Sequence, residues 1–234
     1  MEITNTKDVE KVNRSYLVFG ASKTGKTQLV TTLPQGKALL INVENNLDSI
    51  AGADVMKVDC FDMKKWDEII AFLKAQGPPE WVFVDSISAL LQKAFNEEFT
   101  KTKDGRAAYS AVERTYYDIV ADIKTLPCNI VCTGQMGKIK DEITGGVIYG
   151  ASLPWAKLEH NLPYNFSVVV ASRTEKDAGG NTHYYLQCHP DSQYQVGART
   201  NFGEPNPLEF YEPADLMNLH NKITGKTATK KEGE

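Results

Sequence analysis

The sequence has no apolar run long enough to cross a membrane and no cysteine pair at metal-binding spacing. Its longest apolar runs, such as Ala38–Ile41 and Val168–Ala171, are far shorter than the ~20 residues that a spanning helix requires. The four cysteines are scattered without a CxxC pair, which argues against a disulfide framework or a zinc site. The first residues, Met1–Asn5, lack the basic and apolar regions of a secretory signal. We therefore expect no membrane contact and a reducing, cytoplasmic location.

The chain also lacks an excess of positive charge. Its 234 residues include 26 Lys and Arg against 30 Asp and Glu, which gives a net charge of −4. A protein that binds nucleic acid through its overall charge is thereby excluded, and any contact with DNA or RNA needs a local basic patch. Apolar residues make up 41% of the chain, which is globular composition. A chain of this length forms one sizeable domain rather than two large ones.

What the chain does contain is an alternation of short apolar runs and amphipathic segments, which is typical of an α/β domain with a largely parallel sheet. We predict strands at Tyr16–Phe19, Ala38–Val43, Trp81–Val84 and Asn129–Cys132, and helices at Thr27–Leu33, Met63–Gln76, Ser86–Phe99 and Tyr109–Leu126. Residues 136–150 show no periodicity and are predicted to form a long loop.

The last third of the chain has a different pattern. Two β-rich segments flank Asp177–Asn181, which predicts an antiparallel hairpin. We predict a single domain over residues 1–211, followed by a short helix and a flexible basic tail over residues 212–234.

A phosphate-binding motif follows the first predicted strand. It matches the pattern GxxxxGK[ST] at every fixed position and consists of Gly20, Ala21, Ser22, Lys23, Thr24, Gly25, Lys26 and Thr27. The two glycines let consecutive backbone N–H groups point at phosphate oxygens. Lys26 would reach the β- and γ-phosphates, and the hydroxyl of Thr27 would bind Mg²⁺. The motif therefore predicts a site for ATP and Mg²⁺.

Polar side chains end three of the predicted strands. Asp85 follows Trp81–Val84 and would hold Mg²⁺, although an Asp before Ser86 also suits a helix N-cap. Glu44 follows the second strand and could activate the attacking water, or be an ordinary loop acid. Gln135 follows the fourth strand and could sense the γ-phosphate, or be a solvated loop residue.

Taken together, these strand ends resemble the RecA-type ATPase core over about residues 14–200. The segment Ile41–Asp48 resembles the one that carries the catalytic glutamate of that family, which here is Glu44. The resemblance implies that Asp48 lies near the adenine and that Gln135 begins a DNA-binding second loop. It implies a P-loop NTPase fold in which a mostly parallel twisted sheet is flanked by helices.

The hairpin ending Tyr194–Arg199 is similar to that of phage-encoded RecA-like proteins of the fourth Sak group, which are associated with single-strand annealing and recombination. This resemblance implies a host-cytoplasmic protein that assembles as a homo-oligomer, a ring or filament with nucleotide at the subunit interfaces. In that family a Lys-x-Arg pair reaches the neighbour's nucleotide. Here Arg199 is present, and Gly197 stands where the lysine is expected.

Two predicted loops carry candidate contacts for single-stranded DNA. The candidates are Lys101, Lys103 and Arg106 in the first loop, and Lys138 and Lys140 in the second. Cations that follow a backbone, with a few aromatic side chains, are what single-strand binding needs. The second loop also contains the acidic Asp141 and Glu142, so its charge is mixed.

The motifs favour an ATPase that hydrolyses ATP with Mg²⁺, and the resemblance implies that it acts on single-stranded DNA in phage-type recombination. A second interpretation is an oligomeric annealing module that binds ATP with little catalytic need. A hexameric helicase-like motor and a small-molecule kinase also use a P-loop. The kinase would need an Arg-rich lid, and no arginine occurs between Gln135 and Arg173.

Overall fold

The computed structural model describes residues 13–140, 145–200 and 203–226. Most of the predicted basic tail, and Asp141 and Glu142, lie outside the described residues. The described strands are β1 (Ser15–Gly20), β2 (Ala38–Asn42), β3 (Met56–Asp59), β4 (Trp81–Asp85), β5 (Asn129–Lys140), β6 (Val147–Ala151), β7 (Val168–Lys176), β8 (Thr182–Gln187), β9 (Gly197–Ala198) and β10 (Tyr211–Pro213). The α-helices are α1 (Met63–Gln76), α2 (Ile87–Lys101), α3 (Gly105–Thr125), α4 (Ala156–Asn161) and α5 (Leu216–Thr224), and short 3₁₀ helices cover Thr27–Thr32, Asp48–Ile50 and Leu162–Asn165.

The strands pair in the order β10-β8-β7-β1-β5-β4-β2-β3. The six strands from β7 to β3 run parallel, and β8 and β10 continue the sheet antiparallel. Strand β5 therefore separates β1, which leads into the P-loop, from β4, which ends in Asp85. The predicted α/β fold, with a mostly parallel sheet and a C-terminal antiparallel hairpin, is confirmed.

Alternating side chains of β1 build one hydrophobic core on each face of the sheet. Leu17 and Phe19 are fully buried in the core that α1, α2 and α3 cover. Tyr16 and Val18 are fully buried in the opposite core, which α5 and the 3₁₀ helix Thr27–Thr32 cover. A strand that is apolar at successive positions is expected where helices cover both faces of a parallel sheet.

The segment predicted as the helix Thr27–Leu33 is a 3₁₀ helix instead. The hydroxyls of Thr31 and Thr32 donate to the carbonyls of Gln28 and Leu29, at 2.8 and 2.7 Å. Threonine hydroxyls that bond to backbone three residues earlier compete with regular helical bonding. Pro34 then keeps the segment from continuing as a longer helix.

The prediction of a long loop over residues 136–150 is wrong for the described part of that segment. Strand β5 continues to Lys140 and pairs antiparallel with β6, so that Lys138 lies opposite Tyr149. Ile139 is buried and both neighbouring lysines are exposed, as the alternation of a half-buried strand requires. The loop predicted around Lys101–Arg106 is also shorter than expected, because α2 ends at Lys101 and α3 begins at Gly105.

Helix α5 packs into the domain core. Its residues Leu216, Leu219 and Ile223 are buried, and the N–H of Leu216 donates to the hydroxyl of Thr32 at 3.0 Å. The predicted division between residues 211 and 212 stays a prediction. None of the described helices is both long and apolar enough to cross a bilayer.

Candidate functional site

The loop after β1 has a backbone that only glycine allows at two positions. A Cβ atom on Gly20 would lie 2.6 Å from the carbonyl oxygen of Ser172 on β7. Gly25 has a φ of +83°, in the left-handed region that disfavours other side chains. The Ser172 hydroxyl donates to the carbonyl of Thr24 at 2.6 Å. The loop is thus held against β7 in one conformation.

Lys26 folds back over this loop. Its Nζ donates to the carbonyl oxygens of Gly20 at 2.9 Å and Ala21 at 2.7 Å. Burial lowers the pKa of the Lys26 ammonium, while the carboxylates of Asp85 and Glu44 act in the opposite direction. The cation therefore lies among groups that attract positive charge, in a position from which it can reach a bound phosphate.

Asp85 lies next to Thr27, as expected for a shared metal site. The Thr27 hydroxyl donates to one carboxylate oxygen of Asp85 at 2.6 Å, and the Thr133 hydroxyl donates to the other. Asp85 is only 5% exposed, and burial raises the pKa of its carboxyl although both hydroxyls act to lower it. A desolvated carboxylate beside a hydroxyl supplies the hard oxygen ligands that Mg²⁺ prefers. These two residues therefore fit Mg²⁺.

Glu44 lies beside Asp85 because β2 and β4 are paired. The backbone N–H groups of Val43 and Glu44 donate to the Asp85 carbonyl at 2.8 and 3.3 Å. Oε1 of Glu44 accepts hydrogen bonds from the Ser86 hydroxyl and, at 3.4 Å, from Nε2 of Gln135. The carboxylate is thus oriented by one residue just after β4 and one on the neighbouring β5, as a general base must be.

A cavity of about 740 Å³ opens above these groups. The predicted residues that line it are Gly20, Ala21, Ser22, Lys23, Gly25, Lys26, Thr27, Glu44, Asp48, Asp85 and Gln135. Thr24, the remaining loop residue, is buried and its hydroxyl donates to the carbonyl of Ala21 at 3.0 Å. The cavity lies at the carboxyl ends of parallel strands, where open α/β sheets bind their ligands.

The structure does not bring Arg199 to this cavity. Ala198 pairs with Val168 at the start of β7, and the guanidinium of Arg199 donates to the Tyr164 carbonyl at 3.1 Å. The N–H of Arg199 donates to Ser167, whose own N–H donates to Ser15. Arg199 is therefore about 16 Å, the length of β1, from the P-loop of its own chain.

The five predicted DNA contacts also lie away from the cavity. Lys101 ends α2, where it pairs with Glu98 at 2.6 Å, and Lys103 and Arg106 lie in and just after the linker to α3. Lys138 and Lys140 are exposed on one face of β5.

Seven residues of this site were missed from the sequence: Gln28, Asn46, Ser49, Met136 and Tyr184, which line the cavity, and Thr133 and Ser86. Thr133 and Ser86 orient the predicted acids, and both stand within two residues of a predicted strand-end residue, so a closer look at those strand ends could have found them. Tyr184 lines the cavity from β8, and its ring would lie 3.1 Å from a Cβ on Gly25. No local signal marks Tyr184, because only the sheet order brings β8 to the P-loop.

A comparison with protein families agrees with this geometry. The profile of a family described as an AAA domain matches residues 12–200, which include β1, the P-loop, β4 and β5. The chain belongs to this AAA-domain family. The AAA-domain family is one of P-loop ATPases, so this chain is a P-loop ATPase-type protein, for which nucleotide binding is expected and Mg²⁺ is typical. A search of curated proteins finds no match.

Proposed function

We propose that this AAA-domain protein hydrolyses ATP with Mg²⁺ and acts on single-stranded DNA as a homo-oligomer in recombination or annealing. The observation that carries the ATPase part is the convergence of Lys26, Asp85, Glu44 and Gln135 on one cavity. Cation, metal ligand, base and amide are the parts that phosphoryl transfer to water requires.

Each of these residues has a distinct role in the proposed reaction. Lys26 leaves the loop carbonyls to donate to the phosphate oxygens, and Thr27 and Asp85 hold the metal. Mg²⁺, when bound, offsets the negative charge of the β- and γ-phosphates. Glu44 accepts a proton from the attacking water, and Gln135 keeps the Glu44 carboxylate oriented.

The position of Arg199 is the reason for proposing a homo-oligomer. This exposed arginine is at the far end of β1 from its own P-loop, so it would complete a nucleotide site only in a neighbouring subunit. An arginine supplied across an interface stabilises transition-state charge. We also propose that the chain is one of the phage-encoded RecA-like proteins of the fourth Sak group.

DNA binding is proposed because two elements of the structure carry exposed cations. Lys138 and Lys140 project from one face of β5, the strand that also carries Gln135, and Lys103 and Arg106 lie at the α2–α3 linker. Cations on a strand that passes the nucleotide site at Gln135 would connect DNA binding with hydrolysis.

The test is ATP hydrolysis measured with and without Mg²⁺ and single-stranded DNA. We expect Mg²⁺-dependent turnover, stimulation by DNA, and a loss of at least about 100-fold in kcat in Glu44→Gln with ATP binding retained. Glu68→Gln, which alters an exposed glutamate on α1, serves as the matched control. Absence of stimulation together with full activity in Glu44→Gln would contradict the proposal. Strand annealing that survives Lys26→Ala would favour the annealing module instead.

A further inference from the structure

A second cavity, of about 460 Å³, adjoins the nucleotide site. Glu44 and Gln135 line both cavities, so these two side chains form the wall between them. Its volume falls within the ~300–1,000 Å³ of small-molecule sites. None of the five lysines and arginines predicted to contact DNA lines it.

One face of α2 forms the side of this second cavity. Ser88, Gln92 and Asn96 follow one another at four-residue spacing and therefore lie in one row along the helix. The Ser88 hydroxyl already donates to the carbonyl of Ser152, at 2.7 Å. The amides of Gln92 and Asn96 are exposed to the cavity and available to a ligand.

The two bonded amides leave one donor and one acceptor unused. Nε2 of Gln92 donates to Oδ1 of Asn96 at 3.0 Å. Within the described part of the chain, Oε1 of Gln92 and Nδ2 of Asn96 bond to no other group. Such an acceptor and donor match the hydrogen-bonding edge of a nucleobase, which Asn and Gln side chains commonly bind.

The charge around the cavity favours a base inside it and a phosphate at its rim. Among the described residues that line it, Lys93 is the cation and Glu44 is the carboxylate. A phosphate beside Glu44 would be repelled, whereas the amino group of a neutral base can donate a hydrogen bond to its carboxylate. Lys93 lies one position along α2 from Gln92, where it can pair with a phosphate of the same strand.

We propose that this second cavity binds one nucleotide of a single strand, with its base on Gln92 and Asn96 and its phosphate on Lys93. The inference rests on the proposed function and adds a site that was not predicted from the sequence. The row on α2 continues through Thr100 toward Lys103, which gives the strand a path to the linker. A base in this cavity contacts the same wall, Glu44 and Gln135, that faces the ATP.

The test is the affinity for a DNA strand of fixed length, measured by fluorescence anisotropy with a nonhydrolysable ATP analogue. In Gln92→Ala/Asn96→Ala we expect binding about tenfold weaker with an unchanged salt dependence, because hydrogen bonds to bases release no counterions. In Lys93→Ala the slope of log affinity against log salt should fall by about 0.7. Gln76→Ala and Lys64→Ala, exposed positions on α1, should bind as the wild type does.

A strand with abasic residues separates base binding from a general effect. Wild type should bind it more weakly than the intact strand, and this ratio should shrink about tenfold in Gln92→Ala/Asn96→Ala. The melting temperature and the ATPase rate without DNA should stay at wild-type values. Those two readouts exclude a folding defect.

Three results would overturn the inference. If wild type binds DNA and Gln92→Ala/Asn96→Ala binds it equally well, this site is wrong while the proposed function stands. If wild type binds no single-stranded DNA, the inference and the DNA part of the proposed function are both wrong. If the variant instead fails to assemble in the absence of DNA, as seen by analytical ultracentrifugation, the cavity holds part of a second copy of the chain.

Discussion

The two ends of β1 carry two buried polar groupings of very different kinds. At the carboxyl end, Lys26 and Asp85 bring opposite charges under an open cavity. At the other end, the Tyr16 hydroxyl pairs with Nδ1 of His220 at 2.6 Å, and the His220 ring packs edge-on against Trp81 at 4.8 Å. The first grouping faces space for a ligand, and the second is surrounded by rings.

This difference shows that burial of polar groups does not by itself indicate a functional site. His220 is 7% exposed and Asp85 is 5% exposed, and both have a pKa shifted by desolvation. What distinguishes the P-loop end is that its charged groups converge on a cavity. Substitutions there should change activity, and substitutions near His220 should change stability.

The largest effect is expected for Asp85→Asn. ATP hydrolysis should fall roughly a thousandfold, about 4 kcal/mol in the barrier, because a ligand of the metal is lost. The free energy of unfolding should stay the same or rise, since burial disfavours the ionised carboxyl. Steady-state kinetics and urea unfolding measure the two quantities.

Asp67→Asn is the matched control. Burial also raises the pKa of the Asp67 carboxyl, but this residue lies on α1. Its activity should be that of the wild type. Normal turnover in Asp85→Asn would contradict the claim that the charged groups under the cavity carry the activity.

The second effect concerns the dependence of stability on pH. Burial, helped by the cations Lys226 and Arg14, lowers the pKa of His220 to about 4 from 6.5. Between these values the unfolded chain binds the proton that the folded chain excludes, so stability is lost as pH falls from 6.5 to 4. The loss amounts to roughly 3 kcal/mol at most.

Thermal unfolding of wild type and His220→Gln between pH 4 and 7 measures this effect. The variant should be less stable at pH 7, and the difference between the two proteins should shrink as the pH falls. A difference that stayed constant over that pH range would show that protonation of His220 does not affect the stability of the folded chain.

The smallest effect is expected for Ser172→Ala. Loss of the hydrogen bond from Ser172 to Thr24 should cost about 1 kcal/mol of stability and weaken ATP binding a few-fold. Ser167→Ala, just before β7, removes the side-chain partner of Ser15 and should cost stability alone. Equal ATP affinity in both variants, measured by calorimetry, would argue against a role of Ser172 in holding the P-loop.

The sequence alone was sufficient to predict the parts of the site that depend on residues close together in the chain. The P-loop motif and the apolar strand before Asp85 are local patterns, and the sheet then brings Glu44 and Gln135 to the same cavity. The hairpin of β5 and β6 was missed because glycines interrupt the alternation that Ile139 and Lys140 continue. Tyr184 was missed because its approach to Gly25 depends on pairing between distant strands.

The hydroxyl of Ser88 fastens both strands of that hairpin to one point on α2. It accepts the N–H of Gln135 at 3.0 Å and donates to the carbonyl of Ser152 at 2.7 Å. The hairpin is held a second time farther out, where Tyr149, opposite Lys138, donates its N–H to the carbonyl of Gln193 at 2.6 Å and accepts the N–H of Gln195 at 3.0 Å. Two anchors on different elements fix the distance between Gln135 and Lys138, so the described part of the hairpin behaves as one rigid unit with the edge of the nucleotide cavity.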